Sequence, residues 1–167
     1  MKNQLQARII SSVVAVVILI CSFFFFKEQG LYIVCYLIAA RGIFEAGRLL
    51  FSNNYPKNTK TFFSLVVMSG FILMSSDAYG KYSYEILVSF FSIATVYGIL
   101  FHKFFSSIDS IFTFIAKFIL GAVYAASLPA MILALFKLQD GLIWFACLLS
   151  VVFAGDIGAF IFGTLFG

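Results

Sequence analysis

One carboxylate stands where a carboxylate is costly. Asp156 interrupts the last long apolar run of a 167-residue chain, in Ser150-Val-Val-Phe-Ala-Gly-Asp-Ile-Gly-Ala-Phe-Ile-Phe-Gly-Thr-Leu-Phe-Gly167. If a helix starts at Leu142, Asp156 lies roughly 20 Å along it, at about 1.5 Å per residue. A charged group inside a membrane is expensive, so its presence argues for a role in chemistry or transport. The bland alternative is an aspartate at a helix end, wetted by headgroup water. Gly155, Ala159, Gly163 and Gly167 recur every four residues around it, with Gly158 among them. Such a stripe lets helix backbones approach closely, and it would hold Asp156 toward a protein-lined cavity. Ala122, Ala126, Ala130 and Ala134 form a second stripe in the preceding run. The general abundance of small residues in membrane helices explains that one equally well.

A second group lies nearer the N-terminus. Arg41, Glu45 and Arg48 are spaced by four and three, so on a helix they share a face, and Lys57 and Lys60 follow. Cations at a cytoplasmic interface attract anionic headgroups and can guide a polyphosphate, which makes Arg41 and Arg48 candidate substrate-binding residues. The competing reading is a solvated basic face. His102 is the only histidine and sits in a loop beside Lys103. Cys21, Cys35 and Cys147 lie in apolar runs without C-x-x-C spacing, as small hydrophobes do. Neither a metal site, a Walker loop nor a Ser-His-Asp grouping is legible.

These residues need a membrane to position them. The chain is 63% hydrophobic and 11% charged, whereas soluble domains are nearer half apolar and a quarter charged. A small soluble domain could not hide so much apolar surface. A spanning helix takes about 20 apolar residues. Candidate spans are residues 9–26, 31–51, 61–76, 86–101, 111–136 and 142 onward. The second turns polar after Ala40. The fifth carries Lys117, which can snorkel to the interface, and Pro129, which can kink it. Asn53, Asn54 and Pro56 mark a turn. Tyr79, Tyr82 and Tyr84 suit headgroup level.

The net charge of +4 has no basic stripe to meet a nucleic acid, and its distribution follows topology instead. An alternating path puts Lys2, Arg8, Arg41, Arg48, Lys57, Lys60, Lys103 and Lys117 on one side, and only Lys27, Lys81 and Lys137 on the other. The basic side is cytoplasmic by the positive-inside rule. The expected fold is therefore an all-α, polytopic transmembrane bundle of about six spans. Both termini are expected to be cytoplasmic, and residues 1–167 form a single transmembrane domain.

The segment Phe153-Ala-Gly-Asp-Ile-Gly-Ala-Phe-Ile-Phe-Gly-Thr-Leu-Phe-Gly167 resembles the D-x-G-A-Y-x-x-G-x-x-x-G segment of phosphatidate cytidylyltransferases (CDP-diacylglycerol synthases), with Phe160 in place of tyrosine. Arg8-Ile-Ile-Ser-Ser is similar to the family's opening R-x-x-[ST]-[AG]. Gly42-Ile-Phe-Glu45-Ala-Gly-Arg-Leu-Leu is similar to its G-x-W-E-[WL]-x-x-L, with Phe44 in place of tryptophan. The region around Tyr124 fits loosely.

The resemblance implies a reaction in phospholipid biosynthesis, in which phosphatidate attacks the α-phosphate of CTP to give CDP-diacylglycerol and pyrophosphate. It implies Mg2+ as cofactor, CTP and phosphatidate as substrates, and a multi-pass protein of the cell inner (cytoplasmic) membrane. It marks Asp156 as the catalytic candidate, through a polar contact near the nucleotide or metal. A homodimer is compatible with the small-residue stripes. In the family, a cytoplasmic S-P-x-K-T-x-E-G segment and a C-terminal signature with the main metal-binding aspartates follow the D-x-G-A-Y segment. Neither is in this sequence, so the chain is expected to be the N-terminal part of such an enzyme, truncated after Gly167 and inactive alone. Two readings from other classes compete: a small transporter or channel, and a non-catalytic membrane subunit.

Overall fold

The computed structural model describes residues 2–51, 55–76 and 82–166, and the regular elements among them are all helical. The turn residues Asn53 and Asn54, the interfacial Tyr79, and Gly167 lie outside the described residues. Helix α1 (Lys2–Leu50) consists of two arms, residues 2–26 and 28–50, which meet where Lys27 leaves helical geometry (φ 53, ψ −137). The chain doubles back there. A Cβ on Gly30 would collide with the Ser22 carbonyl, although residues eight apart in a straight helix are separated by about 12 Å. The arms correspond to the first two predicted runs, but the first starts earlier, at Lys2, and the second at residue 28.

Helix α2 (Lys57–Ser75) starts before the expected residue 61. Pro56 at its N-cap explains the early start, because a proline's missing N–H costs nothing at a helix entrance. Helix α3 (Ser83–Leu100) has Glu85 in its first turn, where the helix dipole favours an acid. Helix α4 (Ile108–Ala122) opens on a capping box between Ser107 and Ser110, which satisfies otherwise orphaned N–H groups. A π-turn (Val123–Ser127) links α4 to α5 (Leu128–Leu135). Its place just before Pro129 has a steric reason. Proline cannot donate to the ladder and presses on the preceding turn, and the wider π-turn relieves both. Helix α6 (Gly141–Phe166) follows a turn in which Asp140 has φ 59.

Among the described residues, Ser83–Leu100, Ile108–Leu135 and Gly141–Thr164 are each long and apolar enough to cross a membrane. The chain is an all-α membrane protein. Its core joins the second arm of α1 with α2, α3 and the α4–α5 rod, while α6 packs mainly on α5. Ring contacts identify the two ends of the bundle. Tyr55 meets Phe105 at 6.3 Å, so the loops after α1 and α3 share one end. Tyr32 meets Phe136 at 5.5 Å, and Lys137 Nζ donates to the Ser75 carbonyl at 3.1 Å. The Lys27 break, the end of α2 and the turn before α6 therefore share the other.

Phe114 is the hub at the first end. It is fully buried, with rings of Phe51, Tyr55, Tyr97, Phe105 and Phe118 within 6.2 Å. Lipid tails are as apolar as phenylalanine, so packing density rather than transfer from water holds these rings together. Phe114→Ala leaves a void that five rings cannot all fill. It is expected to destabilise the bundle by about 3 kcal/mol, measured as a lowered unfolding midpoint in detergent. The alanine stripe is used at mid-bundle: Ala122, Ala126 and Ala130 are buried, against α1 and α2. Ala134 is exposed.

Candidate functional site

The catalytic candidate Asp156 lies in the second half of α6. Counting from Gly141 at about 1.5 Å per residue, it is roughly 22 Å along the helix, toward the end where Tyr55 and Phe105 meet. Beyond Gly141, no described side chain of α6 is buried, and Asp156 is exposed with no hydrogen bond or ion pair among the described residues. The small residues beside it are equally open. A Cβ on Gly155, Gly158 or Gly163 would meet nothing within 4 Å, and Ala159 is exposed. The seam between α6 and the body lies elsewhere, where Phe145 packs on Phe136 at 4.8 Å between ring centroids.

Magnesium takes several oxygen ligands at once. Among the described residues, no group of three or more His, Cys, Asp or Glu is placed to hold a metal ion. A lone carboxylate on an uncovered helix does not fit that role.

Arg41 and Arg48 stand one above the other on the second arm of α1 but have different environments. Arg41 Nε donates to Glu45 Oε1 at 2.8 Å, with side chains 70% and 52% exposed. A pair so open to solvent adds at most a few tenths of a kcal/mol, and its effect is to neutralise Glu45. Arg48, in the last turn of α1, forms no ion pair among the described residues. It faces α2 across a cleft of about 210 Å³, shared with Lys60, Thr61 and Ser64.

Thr61 and Ser64 are absent from the sequence-based candidates. Their signal in the sequence is weak: residues 57–61 are polar on every side of the first turn, and only Ser64 continues the face of Lys57, Lys60 and Thr61 into the apolar part of the helix. Lys117 Nζ lies 5.2 Å from the Tyr55 ring centroid. This is a cation–π contact that carries the charge toward the same end of the bundle. No hydrogen bond or ion pair joins Asp156 to Arg41 or Arg48 among the described residues.

A family model described as the cytidylyltransferase family matches residues 6–167. No match was found among curated proteins or among solved structures.

Proposed function

The chain belongs to the cytidylyltransferase family, and on that premise we propose that it serves phosphatidate cytidylyl transfer from within the membrane. The observation that carries this reading is the family match across residues 6–167. It favours nucleotidyl transfer over an ion path or a purely structural subunit. The D-x-G-A segment at Asp156 supports phosphatidate as the acceptor. In the reaction, an oxygen of the lipid phosphate attacks the α-phosphorus of CTP, and the bond to the β-phosphate oxygen breaks to release pyrophosphate. Mg2+, when bound, would supply charge neutralisation. The distribution of basic residues supports a cytoplasmic N-terminus, with the Arg48 end facing the CTP pool and the protein in the inner membrane.

Within this reading the chain supplies the frame and the lipid side of the reaction. Asp156 offers a polar contact near the nucleotide or metal, as an acceptor for a hydroxyl or amino group of the nucleotide. Among the described residues none is grouped to hold a metal ion.

The test is a chimera in which residues 1–167 replace the corresponding segment of an active phosphatidate cytidylyltransferase. The chimera is expected to form CDP-diacylglycerol from CTP and phosphatidate at a rate within about 10-fold of its parent, a barrier difference of about 1.4 kcal/mol. A folded, membrane-inserted chimera that cannot use phosphatidate would refute the proposal.

A further inference from the structure

We propose that the cleft between the second arm of α1 and α2 binds the headgroup of an anionic phospholipid, and of a phosphomonoester lipid above others. Binding stands on the cleft alone; a place in turnover, as the point where the lipid substrate docks, would rest on the cytidylyl-transfer reading.

The cleft is graded in polarity. Arg48 is in the last turn of α1 and Lys60 is in the first turn of α2. Both therefore stand at the mouth of the helical hairpin, beside the loop that joins its arms. Phe44, Leu65 and Met68 line the same cleft about two to three turns away from the loop. A phospholipid has this order of chemistry, phosphate at the interface and hydrocarbon below it. The volume of about 210 Å³ is close to that of seven waters at about 30 Å³ each. That is room for a phosphate with the start of its glycerol.

The charge matches as well. A phosphomonoester carries about −1.5 to −2 at neutral pH, against two cations that have no other ionic partner among the described residues. Glu45, the nearest acid along α1, is held by Arg41 at 2.8 Å and does not cancel them. The hydroxyls of Thr61 and Ser64 add neutral donors. Ser64 is 6% exposed and takes part in no described hydrogen bond, so a ligand oxygen would give its hydroxyl a partner. General attraction of basic residues to anionic lipid would explain enrichment of lipid around the protein. It would not explain two opposed cations converging with two hydroxyls over an apolar floor.

The experiment is native mass spectrometry of the purified chain in uncharged detergent, titrated with dioleoyl phosphatidate in the absence of CTP. One phosphatidate is expected to be retained, ahead of phosphatidylcholine. Arg48→Gln with Lys60→Gln should weaken retention about 30-fold. Lys27→Gln with Lys103→Gln, which removes the same charge elsewhere, should leave it within about 3-fold. Thr61→Glu, at an exposed side chain, places a repelling charge in the cleft and serves as the second variant should the double substitution disturb folding. Equal losses in the two double variants would reduce the effect to bulk attraction and overturn the proposal. Displacement by millimolar inorganic phosphate would overturn it in favour of a free-phosphate site. Equal retention of phosphatidylcholine would overturn the headgroup assignment. Because no turnover is measured, failure here leaves the cytidylyl-transfer reading standing, and an inactive chimera leaves the lipid site standing.

Discussion

Asp156→Asn, introduced into the chimera that carries residues 1–167, is expected to slow CDP-diacylglycerol formation about 100-fold, the scale of the loss when a group that positions a reactant is removed. The size of the effect follows from position. The carboxylate is part of an apolar helix, where keeping a charge has a free-energy cost that a structural role does not explain. It also makes no described hydrogen bond or ion pair, so its loss breaks nothing in the bundle. Asparagine keeps the shape and removes the charge. The expected signature is therefore split: turnover falls while insertion, helix content and unfolding midpoint stay at wild-type values. Asp156→Glu should recover part of the rate. A turnover unchanged in Asp156→Asn would remove the residue from the chemistry, and a fall in stability to match would make it structural.

The 167-residue chain by itself is expected to release no pyrophosphate from CTP in the presence of phosphatidate and Mg2+. A metal ion commonly contributes several kcal/mol to such a transition state, equivalent to a loss of about 10³-fold or more. No described cluster of carboxylates could hold that ion. Pyrophosphate release can be followed continuously in a coupled assay, with the chimera as the positive control. Robust turnover by the chain alone would mean that its lone carboxylate is enough, contrary to the coordination argument.

Much of the fold was legible because lipid imposes length and composition on every span. Apolar runs of the right length became helices, and Lys27 and Pro56 marked breaks between them. What stayed hidden depends on contacts between segments. No feature of Phe-Phe-Phe-Phe-Lys-Glu-Gln-Gly announces that the chain reverses at Lys27 within about one residue. Gly30 becomes the permissive position only once Ser22 is known to lie against it. Pro129 signalled a distortion, but whether α4 and α5 would kink or widen into a π-turn depended on the neighbouring helices. The alanine stripe was visible as spacing, and its partners α1 and α2 were not. The same holds for the cleft. Arg48 was legible as a charge, while Ser64 gains meaning only from its place opposite that charge on another helix.

The one-sided attachment of α6 has a mechanical consequence. A helix of 26 residues is about 39 Å long, longer than a hydrocarbon layer of about 30 Å. It is braced chiefly along α5, with Phe145 against Phe136 near the turn where it begins. Beyond that brace its inclination is set by the thickness of the surrounding bilayer. A thin membrane leans the helix over and a thick one draws it upright. Asp156 is far from the pivot, so a few degrees of lean become ångströms of displacement at the carboxylate. In this chain taken alone, the lipid composition of the membrane acts as the ruler that fixes where the charge stands.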